Sequence, residues 1–226
     1  MSEFKSVYRA GPTPTSIIIC LISTYPEQLS HVICYNATRR DICNLYFLLT
    51  TCFLMNNTSI PDPNLAEIQK ALQEIRDLPA ALLEITFDRL IPPDRAPPAT
   101  FWVPYNDDER NIGLRACLLV WTVTCSKLVP REFQLEATIA IMTGRDSLID
   151  VGTGYGKTLC MIIPCLLDPE NLSVIFSPLK RLQAVQVLEF ERYGIKTLAI
   201  NEDTPNDPDL WKVRPSKVLL GIFWTH

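Results

Sequence analysis

The residues best suited to chemistry stand together in Asp150-Val151-Gly152-Thr153-Gly154-Tyr155-Gly156-Lys157-Thr158. Glycines at alternate positions let successive backbone N–H groups turn inward around oxyanions. A helix starting at the end of the run would aim its positive N-terminus at the same point. Lys157 offers a mobile ammonium for β- and γ-phosphates, and the Thr158 hydroxyl suits Mg²⁺. The pattern G-x-x-x-x-G-K-[ST] is met except at its first position, where Val151 stands. A dinucleotide-binding turn does not fit, because the G-x-G-x-x-G spacing is absent and Lys157-Thr158 is out of place in such a fingerprint.

Such a loop must be held between a strand and a helix, and the flanking sequence supplies both. Ser147 to Val151 reads as a short buried strand, and Lys157 to Leu167 reads as an apolar helix that Pro164 should kink or end early. Ser173 to Ser177 is a second strand, Leu179 to Tyr193 a second helix stopped by Gly194, and Ile195 to Ile200 a third strand. Strand–helix–strand–helix–strand with short connections predicts a parallel sheet with flanking helices, an α/β fold. Upstream, Ile112 to Leu128 and Arg131 to Met142 read as helices, the latter stopped by Gly144 in the position after its cap.

The motifs around the loop narrow its class. Pro130-Arg131-Glu132-Phe133-Gln134-Leu135-Glu136-Ala137 and then Gly144-Arg145-Asp146 precede it, and Ser177-Pro178-Leu179-Lys180-Arg181-Leu182-Gln183-Ala184-Val185-Gln186 follows it. In this order they resemble motifs zero, I and Ia of superfamily two helicases of the DEAD/DEAH kind, most closely the RecQ-like DNA helicases, over about residues 128–204. The loops of such helicases relax the first glycine position, where Val151 stands. The resemblance implies a partial RecA-like P-loop NTPase domain that binds ATP and Mg²⁺ and acts in ATP-dependent 3′-to-5′ DNA unwinding. It implies that Gln134, whose amide can donate and accept at once, selects adenine with help from Arg131. ATP would be held by Arg131, Gln134, Gly152, Thr153, Gly154, Tyr155, Gly156, Lys157 and Thr158, with Lys157 catalytic and Thr158 on Mg²⁺. Ser177, Lys180 and Arg181 would meet phosphates of single-stranded or forked DNA without reading its sequence. The setting implied is nuclear or otherwise intracellular.

The family's acidic D-E-x-H or D-E-x-D motif, which would hold the metal and orient water, does not occur in these 226 residues. The nearest acidic dipeptide, Asp108-Glu109, precedes the loop and cannot follow the family's order. The expectation is therefore an ATP-binding portion truncated before that motif and inactive in unwinding alone. Two other readings stay open. One is a different P-loop NTPase, such as a small kinase or an ABC-type fold. The other is a non-catalytic interaction module with a relic loop.

Composition bounds the rest. With 47% hydrophobic and 20% charged residues the chain can bury a sizeable core, and its net charge of −4 argues against a globally basic nucleic-acid coat. Eight cysteines form no CxxC pair, and only His31 and His226 could join them, so no zinc spacing appears. Buried reduced thiols are expected. Residues 1–60 are an unassigned apolar segment, taken as part of a mostly helical N-terminal region. The run Ile17 to Ile22 is too short to span a bilayer and lacks a clear cleavage site, so no membrane or secretion role is assigned. From Pro63, with Asp62 as cap, Leu65, Ile68, Leu72 and Ile75 recur at helical spacing. Pro92-Pro93-Asp94-Arg95-Ala96-Pro97-Pro98 reads as a linker. It separates a helical segment, 61–99, from the ATP-binding portion, 100–226.

Overall fold

The computed structural model describes residues 6–7, 17–24, 30–37, 63–152, 154–171, 173–177, 180–201, 204 and 219–222, with backbone alone for 6–7, 17–24, 30–37, 63–66, 180 and 219–222. The strands are β1 (Ser6–Val7), β2 (Ile17–Thr24), β3 (Ser30–Ala37), β4 (Asp146–Asp150), β5 (Ser173–Phe176), β6 (Thr197–Ile200) and β7 (Leu219–Ile222). The helices are α1 (Pro63–Arg76), α2 (Ala80–Leu90), α3 (Asp107–Val123), α4 (Glu132–Met142), α5 (Lys157–Leu167) and α6 (Lys180–Arg192). A single 3₁₀ turn covers Ala99–Trp102.

The strands form one seven-stranded sheet in the order β1-β4-β3-β2-β5-β7-β6. Its β2, β5, β7 and β6 side is parallel. Its β1, β4, β3 and β2 side is antiparallel. The expected parallel sheet is therefore present only in part, because a hairpin of β2 and β3 lies between β4 and β5. The same hairpin brings strands into an N-terminal segment expected to be mostly helical, since Ile17–Thr24 and Ser30–Ala37 are strands. The physical reason is visible in composition: Ile17-Ile18-Ile19 and Val32-Ile33 are β-branched, and such side chains favour pleated, buried surfaces over helices. Asp62 and the apolar stretch 42–55 lie outside the described residues.

Helix ends follow the local chemistry closely. α3 opens on Asn106, whose side chain accepts from the Glu109 N–H at 3.0 Å, while Glu109 reaches back to the Asn106 N–H at 3.2 Å. The helix begins five residues before Ile112 because this reciprocal cap, and not the first apolar residue, sets its start. α4 and α6 both end in the same double bond pattern. Gly144 at φ +79° and Gly194 at φ +70° adopt the left-handed conformation that glycine tolerates. Arg145 N–H then bonds Ala140 O at 2.8 Å, and Ile195 N–H bonds Phe190 O at 3.1 Å. Pro164 does not stop α5, which runs on to Leu167. It stands one turn from the end, so few residues remain for its ring to disturb, and its own carbonyl accepts the Asp168 N–H at 3.0 Å.

The core forms around α3 and α5. Cys117, Leu118, Leu119 and Val120 on α3 and Cys160, Ile162 and Ile163 on α5 are wholly buried. α5 is apolar on nearly every face, as a helix enclosed on all sides must be. Leu72 of α1 and Leu83 and Phe87 of α2 belong to the same buried cluster. One core thus spans both sides of the proline-rich stretch. That stretch itself is held down by Ile91, 2% exposed. Arg95 adds to this, with its guanidinium 5.8 Å from the Trp121 ring and a bond to Lys127 O at 3.2 Å. Cys117, Cys160 and Cys165 are buried, whereas Cys125 is exposed. Cys125 lies in a turn with φ +50°, past the end of α3.

Leu83→Ala should cost about 2–5 kcal/mol, the usual loss for a buried leucine. If the shared core governs folding, thermal unfolding followed by circular dichroism will show one transition lowered as a whole, as for Ile163→Ala. An early separate transition for residues 61–99 would show that the proline-rich stretch divides the chain.

Candidate nucleotide site

β4 delivers the glycine-rich loop to one end of the sheet. Along the strand Ser147 and Ile149 face the interior while Leu148 and Asp150 are exposed, so the loop starts from a fixed, half-buried strand. Gly154 and Gly156 lie at φ +84° and +85°, conformations disfavoured for side-chain-bearing residues. These two turns bring the chain round so that Gly156 becomes the cap of α5. Lys157 then occupies the first helical position, and its Nζ donates to Val151 O at 2.7 Å and Gly152 O at 2.9 Å. Burial lowers the pKa of this ammonium below its ordinary value, opposed by the charge of Asp150 and by Cys160. Thr158 follows, partly buried in the first turn. Thr153 lies outside the described residues.

Gln134 is tied into this loop from α4. It is 4% exposed, its Oε1 accepts the Arg131 N–H at 2.8 Å, and its Nε2 donates to Gly156 O at 2.9 Å. Its placement three residues after the first cap residue explains the first bond, since a glutamine there reaches back to the uncapped N–H. The second joins α4 to the loop. The Gly156 carbonyl also accepts the Leu159 N–H at 3.1 Å. One peptide oxygen therefore anchors both helices.

Tyr155 contributes an aromatic face, a role that its place in the motif does not reveal. Its ring is 55% exposed and lies 5.6 Å from the Arg131 guanidinium, and a Cβ on Gly152 would meet it at 3.4 Å. Arg131 and Tyr155 line an open cleft of about 550 Å³ with Pro97, Pro98, Phe133 and Glu136. Burial and the neighbouring Glu132 raise the pKa of Glu136. The cleft joins an aromatic and apolar wall to an arginine, which suits a flat heterocycle. Gln134 is not among the residues that line this cleft, and its amide is engaged with the backbone. A second cleft, of about 460 Å³ between α1 and the ends of α5 and α6, shares no residue with the loop.

At the end of β5 Ser177 is 1% exposed, and its Oγ has no partner among the described residues. Lys180 opens α6 and Arg181 is exposed in its first turn. Ser177 follows β5 and Lys180 and Arg181 begin α6, so all three stand at the β5–α6 junction. Glu109 is explained without catalysis. One oxygen caps α3, and the other pairs with Arg145 Nη2 at 2.6 Å, with side chains only 14% and 19% exposed. No group of three or more His, Cys, Asp and Glu residues suited to a metal occurs among the described residues. Within them, no helix is long and apolar enough to cross a membrane.

A strand, a glycine turn with two left-handed residues, and a helix opening on Lys-Thr give the geometry of a P-loop on an α/β framework. Residues 131–221 match the family model for DEAD/DEAH box helicases. Within that family the resemblance is to RecQ-like proteins. The ATP-dependent DNA helicase RecQ of Pasteurella multocida is 39% identical over 31% of this chain and 11% of its own length. The ATP-dependent DNA helicase hus2/rqh1 of Schizosaccharomyces pombe is 30% identical over 34% of this chain and 6% of its own. The Caenorhabditis briggsae protein named for an ATP-dependent DNA helicase Q1 is 30% identical over 38% of this chain and 15% of its own. The chain thus spans a small part of the length of these relatives. No solved structure matches it.

Gly154→Ala and Gly156→Ala should separate backbone strain from crowding. Both pay the left-handed cost of about 1–2 kcal/mol. Only Gly156→Ala places a Cβ 2.9 Å from Gln134 Nε2, whereas at Gly154 nothing lies within 4 Å. Denaturant unfolding should therefore find Gly156→Ala the less stable variant. Equal losses would mean that the Gln134 tie yields freely.

Proposed function

We propose that the stretch from Arg131 onward is the ATP-binding portion of a RecQ-like ATP-dependent DNA helicase. The observation that carries this reading is the bond from Gln134 to Gly156 O, which joins the glutamine ahead of the loop to the phosphate loop itself. The residues fit a polyphosphate. Two left-handed glycines would let backbone N–H groups turn inward, α5 would offer its N-terminus to the same phosphates, and Lys157 can exchange its two carbonyl bonds for phosphate oxygens. Gly152, Thr153, Gly154, Tyr155 and Gly156 would wrap the phosphates, and Thr158 would reach Mg²⁺, which when bound neutralises phosphate charge. Arg131 and Tyr155 would hold the adenine face in the cleft. Gln134 would read the adenine edge through the amide hydrogen and lone pair that its two backbone bonds leave over. Ser177, Lys180 and Arg181 would meet the phosphates of single-stranded or forked DNA. An intracellular, nuclear setting goes with this reading.

No D-E-x-H or D-E-x-D sequence is present in these 226 residues to orient an attacking water. The reading is therefore nucleotide binding by this chain, with 3′-to-5′ unwinding a property of the kind of machine to which such a portion belongs. Titration calorimetry of the 226-residue chain with ATP–Mg²⁺ should show saturable binding, weakened about 10- to 100-fold in Lys157→Ala, as loss of a charge-assisted bond implies. ATP should be preferred to GTP, and the preference should vanish in Gln134→Ala. A cooperative fold with no nucleotide binding would support the relic-loop alternative. Hydrolysis by the chain alone, abolished in Lys157→Ala, would overturn the prediction of binding without turnover.

A further inference from the structure

Gln183, on α6, is wholly buried, and its carboxamide spans two strand ends. Its Nε2 donates to Ser177 O, just past β5, at 3.2 Å. Its Oε1 accepts from Asn201 Nδ2, just past β6, at 2.8 Å. Asn201 is itself fixed in a turn, with its N–H on Thr204 Oγ1 and its carbonyl accepting the Thr204 N–H, each at 2.9 Å. Burying a carboxamide costs free energy that an aliphatic chain of equal length would not, so these bonds are the reason a glutamine can stand there. Two further buried polar atoms flank it. Ser177 Oγ and Gln186 Oε1 have no partner among the described residues. The strand end is thus polar inside as well as at its surface.

We infer that Gln183 is a positioning residue: through its amide the turn at Asn201 holds the Ser177 strand end in the geometry that meets a nucleic-acid phosphate. This rests on the reading of Ser177, Lys180 and Arg181 as the nucleic-acid surface. Gln183 touches no ligand. Its amide holds the Ser177 carbonyl, three residues ahead of α6. A displaced strand end would lose phosphate contacts, and each lost contact lowers the salt dependence of binding.

The test is fluorescence anisotropy of a labelled oligothymidylate with the 226-residue chain at several salt concentrations. Gln183→Met, which keeps the packing volume, should weaken binding about tenfold, the size of one or two lost hydrogen bonds. It should also flatten the plot of log K against log salt, a change that simple loss of stability would not produce. Asn201→Ala should do the same, and the double variant should lose little more, because the two side chains act through one link. ATP–Mg²⁺ affinity should stay within about twofold of the parent throughout, since the phosphate loop is a separate site. If Gln183→Met does not fold, Asn201→Ala carries the same test from the other end of the bond. Parent affinity and salt slope in both variants, with Arg181→Ala weakened, would overturn the positioning role and leave the nucleic-acid reading standing. A parent chain that does not bind the oligonucleotide at low salt would overturn both.

Discussion

Everything near the loop depends on the Gly156 peptide. Its φ is left-handed, its carbonyl receives both the Gln134 amide and the Leu159 N–H, and the next residue is Lys157. A loop of glycines is a poor scaffold by itself, because glycine loses more conformational freedom on folding than any other residue. Here the freedom is removed from two directions. α5 grows from Gly156, and α4 reaches across through Gln134. The lysine ammonium closes the loop from inside by bonding Val151 O and Gly152 O. The cradle is therefore organised by the protein's own polar groups.

Those groups need rigid supports. α4 and α6 each end in a glycine with paired backbone bonds, so the strands that follow start at defined points. α3 is capped by Asn106 and Glu109, and Glu109 extends that cap to Arg145, at the entrance of β4. An arginine and a glutamate this enclosed would destabilise the fold if either were left alone. Paired, they connect the start of α3 to the strand that carries the loop.

How legible this was in the sequence differs by element. The helices other than α2, the two glycine stops and the three short strands of the 146–200 region could be read because their signals are local: apolar periodicity, caps and turns. The β2–β3 hairpin could not, because pairing with β4 and β5 is a long-range event and apolar runs such as Ile17 to Ile22 fit either helix or strand. Within the candidate site, the glycines and Lys157 could be read from type and spacing, and Gln134 only through the resemblance of the motifs around it. The stack of Arg131 on Tyr155 was not, since it joins a residue before α4 to one inside the loop. Nor was the Gln183 bridge, because a glutamine on an amphipathic helix looks like a solvated one until the neighbouring strand ends are known. The proline-rich stretch shows the opposite failure. Its prolines are a strong local break, yet Ile91 and Arg95 dock it onto a core that continues across it.

The β2–β3 hairpin also acts as a ruler. β4 and β5 are not neighbours. Three ladder steps separate them, through β3 and β2. At about 4.8 Å per step their axes stand about 14 Å apart. No single phosphate group can bridge such a gap. The turn after β4 and the end of β5 are therefore distinct places along the sheet edge, and the number of strands between them fixes their spacing more firmly than any loop could.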